Sequence, residues 1–169
     1  MTSVPISTTD FRALMRNVPG QVTIVAAGSP GQRSGLTATA VCALTDAPPT
    51  VLVCVNRRVV AHDTIIESGV FSINALAAGQ DDIAVTFSGL PGIKGEDRFK
   101  SGTWGVGTSG APILSGTVCT LECRIAGYHP AATHTIFFGE IIAGTAHEER
   151  DPLVYLRGSY LELPSSTPA

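Results

Sequence analysis

The sequence predicts a mainly β fold, a closed or split barrel of six or seven mostly antiparallel strands with two or three short helices between them. Apolar runs of strand length, rich in Val, Ile and Thr, recur along the chain, and 18 Gly and 11 Pro punctuate them. Charged residues are only 15% of the total, too few to coat long surface helices. The strands do not alternate with long helical patterns, so a parallel βαβ sheet is not expected. At 169 residues the length suits one domain, 1–169, with a core from about 11 to 163.

The first element is a helix from Thr8 or Thr9 to Asn17. A capping hydroxyl precedes Asp10, Phe11, Leu14, Met15 and Val18 recur at helical spacing, and Pro19-Gly20 ends it. Gln21–Ala27 reads as a strand. The turn cluster Gly28-Ser29-Pro30-Gly31 leads into a second extended run, Gly35 to Leu44, giving a hairpin. Pro48-Pro49 then breaks the chain before Thr50–Asn56, whose unbroken Val, Leu, Cys and Val predict a central strand buried on both faces.

His62–Ser68 reads as a short helix ended by Gly69, Val70–Leu76 as a strand, and Gln80–Phe87 as another short helix. Ser88–Pro112, with seven Gly and most of the local charge, has the composition of an ordered functional loop or a cover. Beyond it lie three β segments: Ile113–Gly127, His134–Thr145, and a pair around Leu153 to Leu163. Residues 165–169 read as a frayed tail.

Composition excludes several functions. The net charge of −3 has no basic run behind it, so nucleic acid is not an expected partner. The longest apolar stretches, Pro49–Val55 and Ile136–Thr145, fall short of the roughly 20 residues of a spanning helix. The N-terminus lacks a basic region followed by an apolar one, so a cytoplasmic location is expected. Low charge with many β-branched residues also fits a surface partly covered by a second copy of the chain. Cys42, Cys54, Cys119 and Cys123 have neither metal-site nor disulfide-framework spacing and read as core thiols. No metal is expected.

Gly105-Val106-Gly107-Thr108-Ser109-Gly110 matches the GxGxxG dinucleotide fingerprint, but no strand precedes it and no helix follows to supply a dipole. It reads as a glycine-rich loop. More informative is Gly35 to Pro49, followed at once by Val51 to Asn56. An extended strand of Thr and Ala leaves backbone N–H and C=O groups accessible, which suits the edge of a flat heterocycle carrying donors and acceptors. It suits a tightly packed barrel strand equally well.

That segment resembles the signature of the short-chain NAD(P)H:flavin reductases, the group that includes the reductase component of 4-hydroxyphenylacetate 3-monooxygenase. Phe71-Ser72-Ile73-Asn74-Ala75-Leu76 is similar to the family's FxVNxL strand, and Glu96-Asp97-Arg98-Phe99 to its charged loop. Thr133 to Ile141 resembles its (G)xHxxxxGEV segment, and Leu153 to Tyr160 its closing motif. The likeness runs from about Phe11 to Leu163.

The resemblance implies a homodimeric FMN-binding split barrel of Greek-key type. It also implies hydride transfer from NADH to FMN or FAD, and delivery of reduced flavin to a flavin-dependent monooxygenase. NADH is taken over NADPH because no residue reads a ribose phosphate. By the same likeness Thr37, Ala38 and Thr39 line the flavin ring, with Cys54, Val55 and Asn56 beside it on the adjacent strand. Arg57, Arg58, His62, Lys94 and Arg98 are the candidates for the flavin phosphates. Many relatives carry hydroxyls in the turn after the Asn, where this chain has Arg58, Val59, Val60 and Ala61. His134 is the catalytic candidate, placed where the dihydronicotinamide stacks on the flavin, and Phe87, Tyr155 and Tyr160 are candidate aromatic walls. Hydride transfer needs no protein acid or base in its first step. Two other readings fit the likeness: electron delivery to a specialised acceptor such as a corrin metal, and flavin binding without turnover.

Overall fold

Helix α1 (Thr8–Met15) is capped by Ser7, whose hydroxyl accepts a hydrogen bond from the Asp10 N–H at 3.1 Å. The cap lies just before the two threonines expected to provide it. The computed structural model describes residues 5–89 and 91–163, so the expected tail at 165–169 lies outside the described residues. After β1 (Gly20–Gln21), strands β2 (Thr23–Ala27) and β3 (Ser34–Ala38) form the expected hairpin, with Val25 opposite Leu36.

The run expected to extend unbroken from Gly35 to Leu44 is broken at Thr39-Ala40. Beyond that corner β4 (Val41–Asp46) pairs with β5 (Pro49–Asn56) and not with β2. This corner defines the fold. The remaining strands of the main sheet are β6 (Val70–Ala75), β9 (Cys119–Ala131) and β10 (His134–Ala146), in the order β3-β2-β6-β9-β10-β5-β4. Hence β3 and β4, consecutive in sequence, are its two opposite edges. Ala38 and Val41 are three peptide units apart, a span of at most about 11 Å. The edges must therefore converge, curling the sheet into a barrel that stays unpaired along one seam, a split barrel.

Thr50–Asn56 was expected to be central and buried on both faces. Strand β5 instead lies next to an edge and alternates, with Val51, Val53 and Val55 buried and Leu52, Cys54 and Asn56 half-buried. The doubly buried strand is β2. Its Val25 and Ala27 enter the barrel interior with Val53, Val55, Phe71, Ile73 and Phe137, while Ile24 and Ala26 face an outer layer with Phe87, Phe99 and Leu114. Two layers on one strand explain why every residue in it is apolar or small.

Helix α2 (Val60–Ser68) starts two residues earlier than expected, and α3 is Asp81–Phe87. The segment expected as a loop from 88 to 112 holds a 3-10 helix, Gly95–Lys100, and a hairpin of β7 (Trp104–Val106) with β8 (Pro112–Leu114). The GxGxxG-like glycines form its turn, with a strand on each side and no helix. The strand expected over Ile113–Gly127 is thus two, β8 and β9. Strands β11 (Leu153–Leu156) and β12 (Ser159–Glu162) join β1 in a small sheet, and all pairings among the described residues are antiparallel.

The motif residue Asn74 is fully buried and structural. Its amide donates to the Ile24 carbonyl at 3.1 Å, and its side-chain oxygen accepts from the Leu114 N–H at 2.9 Å, tying β8 to the barrel. All four cysteines are free thiols.

Candidate functional site

A groove runs along the β3 edge of the barrel. Its first part is a cleft of about 440 Å³ between β3, the first turn of α2, the end of α3 and the start of the 3-10 helix. Its second, of about 290 Å³, is lined by Val22, Thr37, Ala38, Thr39, Ser88, Tyr155 and Tyr160. Thr37 and Ser88 line both, so the two are one groove along β3.

The cleft end gathers positive charge. Val59, Val60 and Ala61 line it, and they are the opening of α2, whose N-cap Val59 provides no side-chain hydrogen bond. The backbone N–H groups of a helix's first turn lack intrahelical partners and carry its positive dipole end. Arg58, Lys94 and Arg98 surround that end. Among the described residues none of the three is in an ion pair. Arg98 is anchored through its backbone-directed donors, Nε to the Ile93 carbonyl at 3.2 Å and Nη1 to the Gly35 carbonyl at 3.4 Å.

The segment bearing Lys94 and Arg98 is latched to β3 by Glu96. Arg33 Nε donates to Glu96 Oε1 at 2.7 Å, and the Arg33 N–H donates to Oε2 at 2.8 Å. Burial alone would raise the Glu96 carboxyl, but donors from Arg33 and the Gly31 backbone outweigh it and hold the group below its ordinary value. The Arg33 guanidinium also stacks 4.5 Å from the centre of Phe99, which packs with Phe87 and Trp104 beneath the cleft.

At the other end Tyr155 and Tyr160 lie 5.3 Å apart, centre to centre. Burial, with smaller contributions from Tyr155 and Asp81, raises the Tyr160 phenol, which therefore stays a neutral donor. The Thr37 hydroxyl donates to the Ala84 carbonyl at 2.6 Å, so it fixes β3 against α3.

Of the sequence-predicted residues, Thr37, Ala38, Thr39, Arg58, Phe87, Lys94, Arg98, Tyr155 and Tyr160 line this groove. Six others do not. Val55 is fully buried in the barrel core, and Cys54 is half-buried on β5, which is not hydrogen-bonded to β3. Asn56 turns back on the chain, its Oδ1 accepting from the Arg58 N–H at 2.9 Å. Arg57 faces the β9–β10 turn, its N–H donating to the Thr133 carbonyl at 3.0 Å. His62 is buried beneath α2, with Nε2 at 2.9 Å from Thr135 Oγ1 and Nδ1 at 2.7 Å from Asp63, so both ring nitrogens are engaged away from the cleft. His134 begins β10 opposite Asn56, with Nδ1 at 2.8 Å from Thr133 Oγ1.

The lining residues that sequence reasoning did not name as candidates are Val22, Ser34, Gly35, Leu36, Ser88, Gly89 and Gly95 and, at the opening of α2, Val59, Val60 and Ala61, which it marked only as lacking the hydroxyls of relatives. A helix opening directly after two arginines is the signal for that last group.

The Flavin reductase like domain family matches residues 15–164. The chain belongs to this family. The FMN reductase (NADH) RutF of Pseudomonas syringae pv. syringae is 38% identical over 164 residues, 97% of this chain and 91% of that one. Two solved structures resemble this flavin reductase closely. One is an NADH:FAD oxidoreductase of Streptomyces globisporus C-1027, with TM-score 0.85 at 30% identity over 98% of this chain and 100% of the other. The other is nitrilotriacetate monooxygenase component B of Mycobacterium thermoresistibile, with TM-score 0.84 at 28% identity over 95% and 90%. As a flavin reductase of this family the chain is an oxidoreductase, and the split barrel implied by the sequence likeness is its fold.

Proposed function

We propose that this flavin reductase passes hydride from NADH to FMN or FAD and supplies the reduced flavin to a monooxygenase, acting as a homodimer in the cytoplasm. The observation that carries the reading is the continuous groove along β3, with unpaired cations and a helix N-terminus at one end and two tyrosines at the other. These residues fit a flavin: the phosphate suits the charged end, and the flat ring suits the Thr37–Thr39 backbone with its tyrosine wall. The bound flavin supplies the redox chemistry by accepting the hydride.

The protein's contribution is binding and alignment. Arg58, Lys94, Arg98 and the α2 N–H groups balance the phosphate charge, and Glu96 holds two of those cations in place through Arg33. Hydrogen bonding of Thr37 to α3 fixes the strand against which the ring lies. The Thr133 hydroxyl sets the ring orientation of His134, the residue proposed for the nicotinamide.

NADH is supported by the name of the Pseudomonas syringae relative, and a monooxygenase partner by that of component B. The exposed apolar side of α1 and the turn after it, with Phe11, Leu14, Met15 and then Val18 at 53%, 60%, 48% and 56% exposure, supports a second copy covering it. Four free thiols support a reducing compartment. No helix among the described residues is long and apolar enough to cross a membrane.

The test is a visible spectrum of the purified protein followed by NADH and NADPH oxidation with added FMN and FAD. Flavin-dependent NADH oxidation is the expected result. Flavin bound with no NADH oxidation would leave a flavin-binding protein without turnover.

A further inference from the structure

Beside the groove lies a separate cavity of about 320 Å³, lined by Arg57, Arg58, Ala132 and Thr133. It sits between the turn that follows β5 and the two-residue turn joining β9 to β10. Arg58 lines this cavity and the 440 Å³ cleft alike, so the two meet at its side chain.

We propose that this cavity is a second phosphate subsite, which takes the adenylate-side phosphate of a dinucleotide flavin and makes FAD the preferred flavin. The proposal rests on the flavin reading above and adds to it a specificity determinant, Arg57.

Three features support it. First, the turn is fixed and not a loose surface loop. Asn56 Oδ1 accepts from the Arg58 N–H, and the Arg57 N–H donates to the Thr133 carbonyl at 3.0 Å. Second, the Arg57 guanidinium is directed at the cavity wall, Nη1 approaching the Ala132 carbonyl at 3.4 Å, where a left-handed Ala132 (φ 50°) turns that carbonyl toward it. Third, charge is uncompensated: among the described residues neither arginine pairs with a carboxylate, and the nearest acidic residue in sequence, Asp63, is engaged by His62.

The two phosphates of a pyrophosphate share one bridging oxygen, and a planar guanidinium with several donors can contact both. A single arginine at the junction of two cavities matches that requirement. The first phosphate lies at the α2 N-terminus, Arg58 spans the bridge, and the second reaches Arg57. A mononucleotide uses the first cleft alone, so Arg57 discriminates between the two flavins.

The experiment is an equilibrium titration, by quenching of flavin fluorescence, of the full chain with FMN and with FAD. Wild type, Arg57→Ala and Arg57→Lys are compared, and KM for NADH and NADPH is measured alongside. The expected result is tighter FAD than FMN binding by the wild type, with the ratio of FAD to FMN affinity lowered about tenfold in Arg57→Ala and less in Arg57→Lys, which keeps the charge. FMN binding by the variants reports that they fold. An unchanged ratio, or equal losses for both flavins, overturns the proposal. So does a change confined to NADPH, which would give the cavity to the pyridine nucleotide. If the wild type binds neither flavin, the underlying flavin reading itself fails, a result distinct from loss of the ratio alone.

Discussion

Arg33 and Glu96, 63 residues apart in the chain, join the start of β3 to the segment that carries Lys94 and Arg98 over the cleft. The carboxylate accepts from both the guanidinium and the backbone N–H of one residue, so a single link fixes position and direction. Ionised, Glu96 thus helps hold the Lys94–Arg98 segment against the start of the strand.

This gives a pH dependence with a defined sign. Burial raises the Glu96 carboxyl, the Arg33 and Gly31 donors lower it by more, and its folded value lies below the ordinary one of about 4.3. The link's stabilisation is fully present above that ordinary value and is lost as pH falls through the folded value. With 35% of the side chain exposed, screening limits it to about 1 kcal/mol. Glu96→Gln should lower the urea midpoint at pH 7 and weaken flavin binding severalfold, and the stability gap to wild type should close as pH falls below the ordinary carboxylate range. A gap that stays constant across that range would show that the carboxylate charge contributes nothing.

His134→Ala tests the nicotinamide side. The residue lines neither part of the flavin groove, so its loss should raise KM for NADH by about tenfold while the flavin dissociation constant moves less than threefold. Steady-state kinetics with a parallel flavin titration separates the two. A larger effect on flavin binding would reassign the residue to the flavin.

Much of this architecture was legible because strand and turn chemistry is local. The β2–β3 hairpin, the β6 strand and the long β9–β10 pair follow from apolar runs and their punctuating residues. The Thr39-Ala40 corner was not legible, since nothing in a run of small residues says that the chain leaves one sheet edge for the other. The doubly buried strand was misassigned to β5, since Val51 to Val55 is an unbroken apolar run whereas Val22 to Ala27 is interrupted by Thr23. What distinguishes them is the outer layer of Phe87, Phe99 and Leu114, which exists only after folding. Arg58, Lys94 and Arg98, picked out by charge, line the groove, whereas His62 does not, because a sequence does not reveal that Thr135 and Asp63 engage both ring nitrogens.

Gly139 of the GEV-like motif tests the packing behind that segment. A Cβ there would lie 2.5 Å from Phe71 Cζ and 2.9 Å from Cys123 Cβ, both in fully buried side chains that cannot move aside. Overpacking of this kind costs about 1–3 kcal/mol, so Gly139→Ala should lower Tm by roughly 3–10 °C in a calorimetric scan. Phe71→Leu in the same chain should recover part of the loss, because the two sites share one contact. Full additivity of the two changes would disprove the contact.

Cys123 should be the least reactive of the four thiols. Burial first, and then the neighbouring charge of Glu122, push it up to about 12. Glu122 keeps that charge although burial opposes it, because donors from Ser109 and the Thr108 backbone hold its carboxyl low; the Ser109 N–H donates at 2.6 Å. At pH 8 only about one Cys123 in ten thousand is then thiolate, the reactive form. Cys42 is exposed on β4 and open to reagent. Alkylation with iodoacetamide at pH 8, read by peptide mass spectrometry, should label Cys42 in the folded protein and Cys123 only after urea is added. Labelling of both at similar rates would mean that β9 opens without global unfolding, and that the barrel is far less cooperative than its continuous core requires.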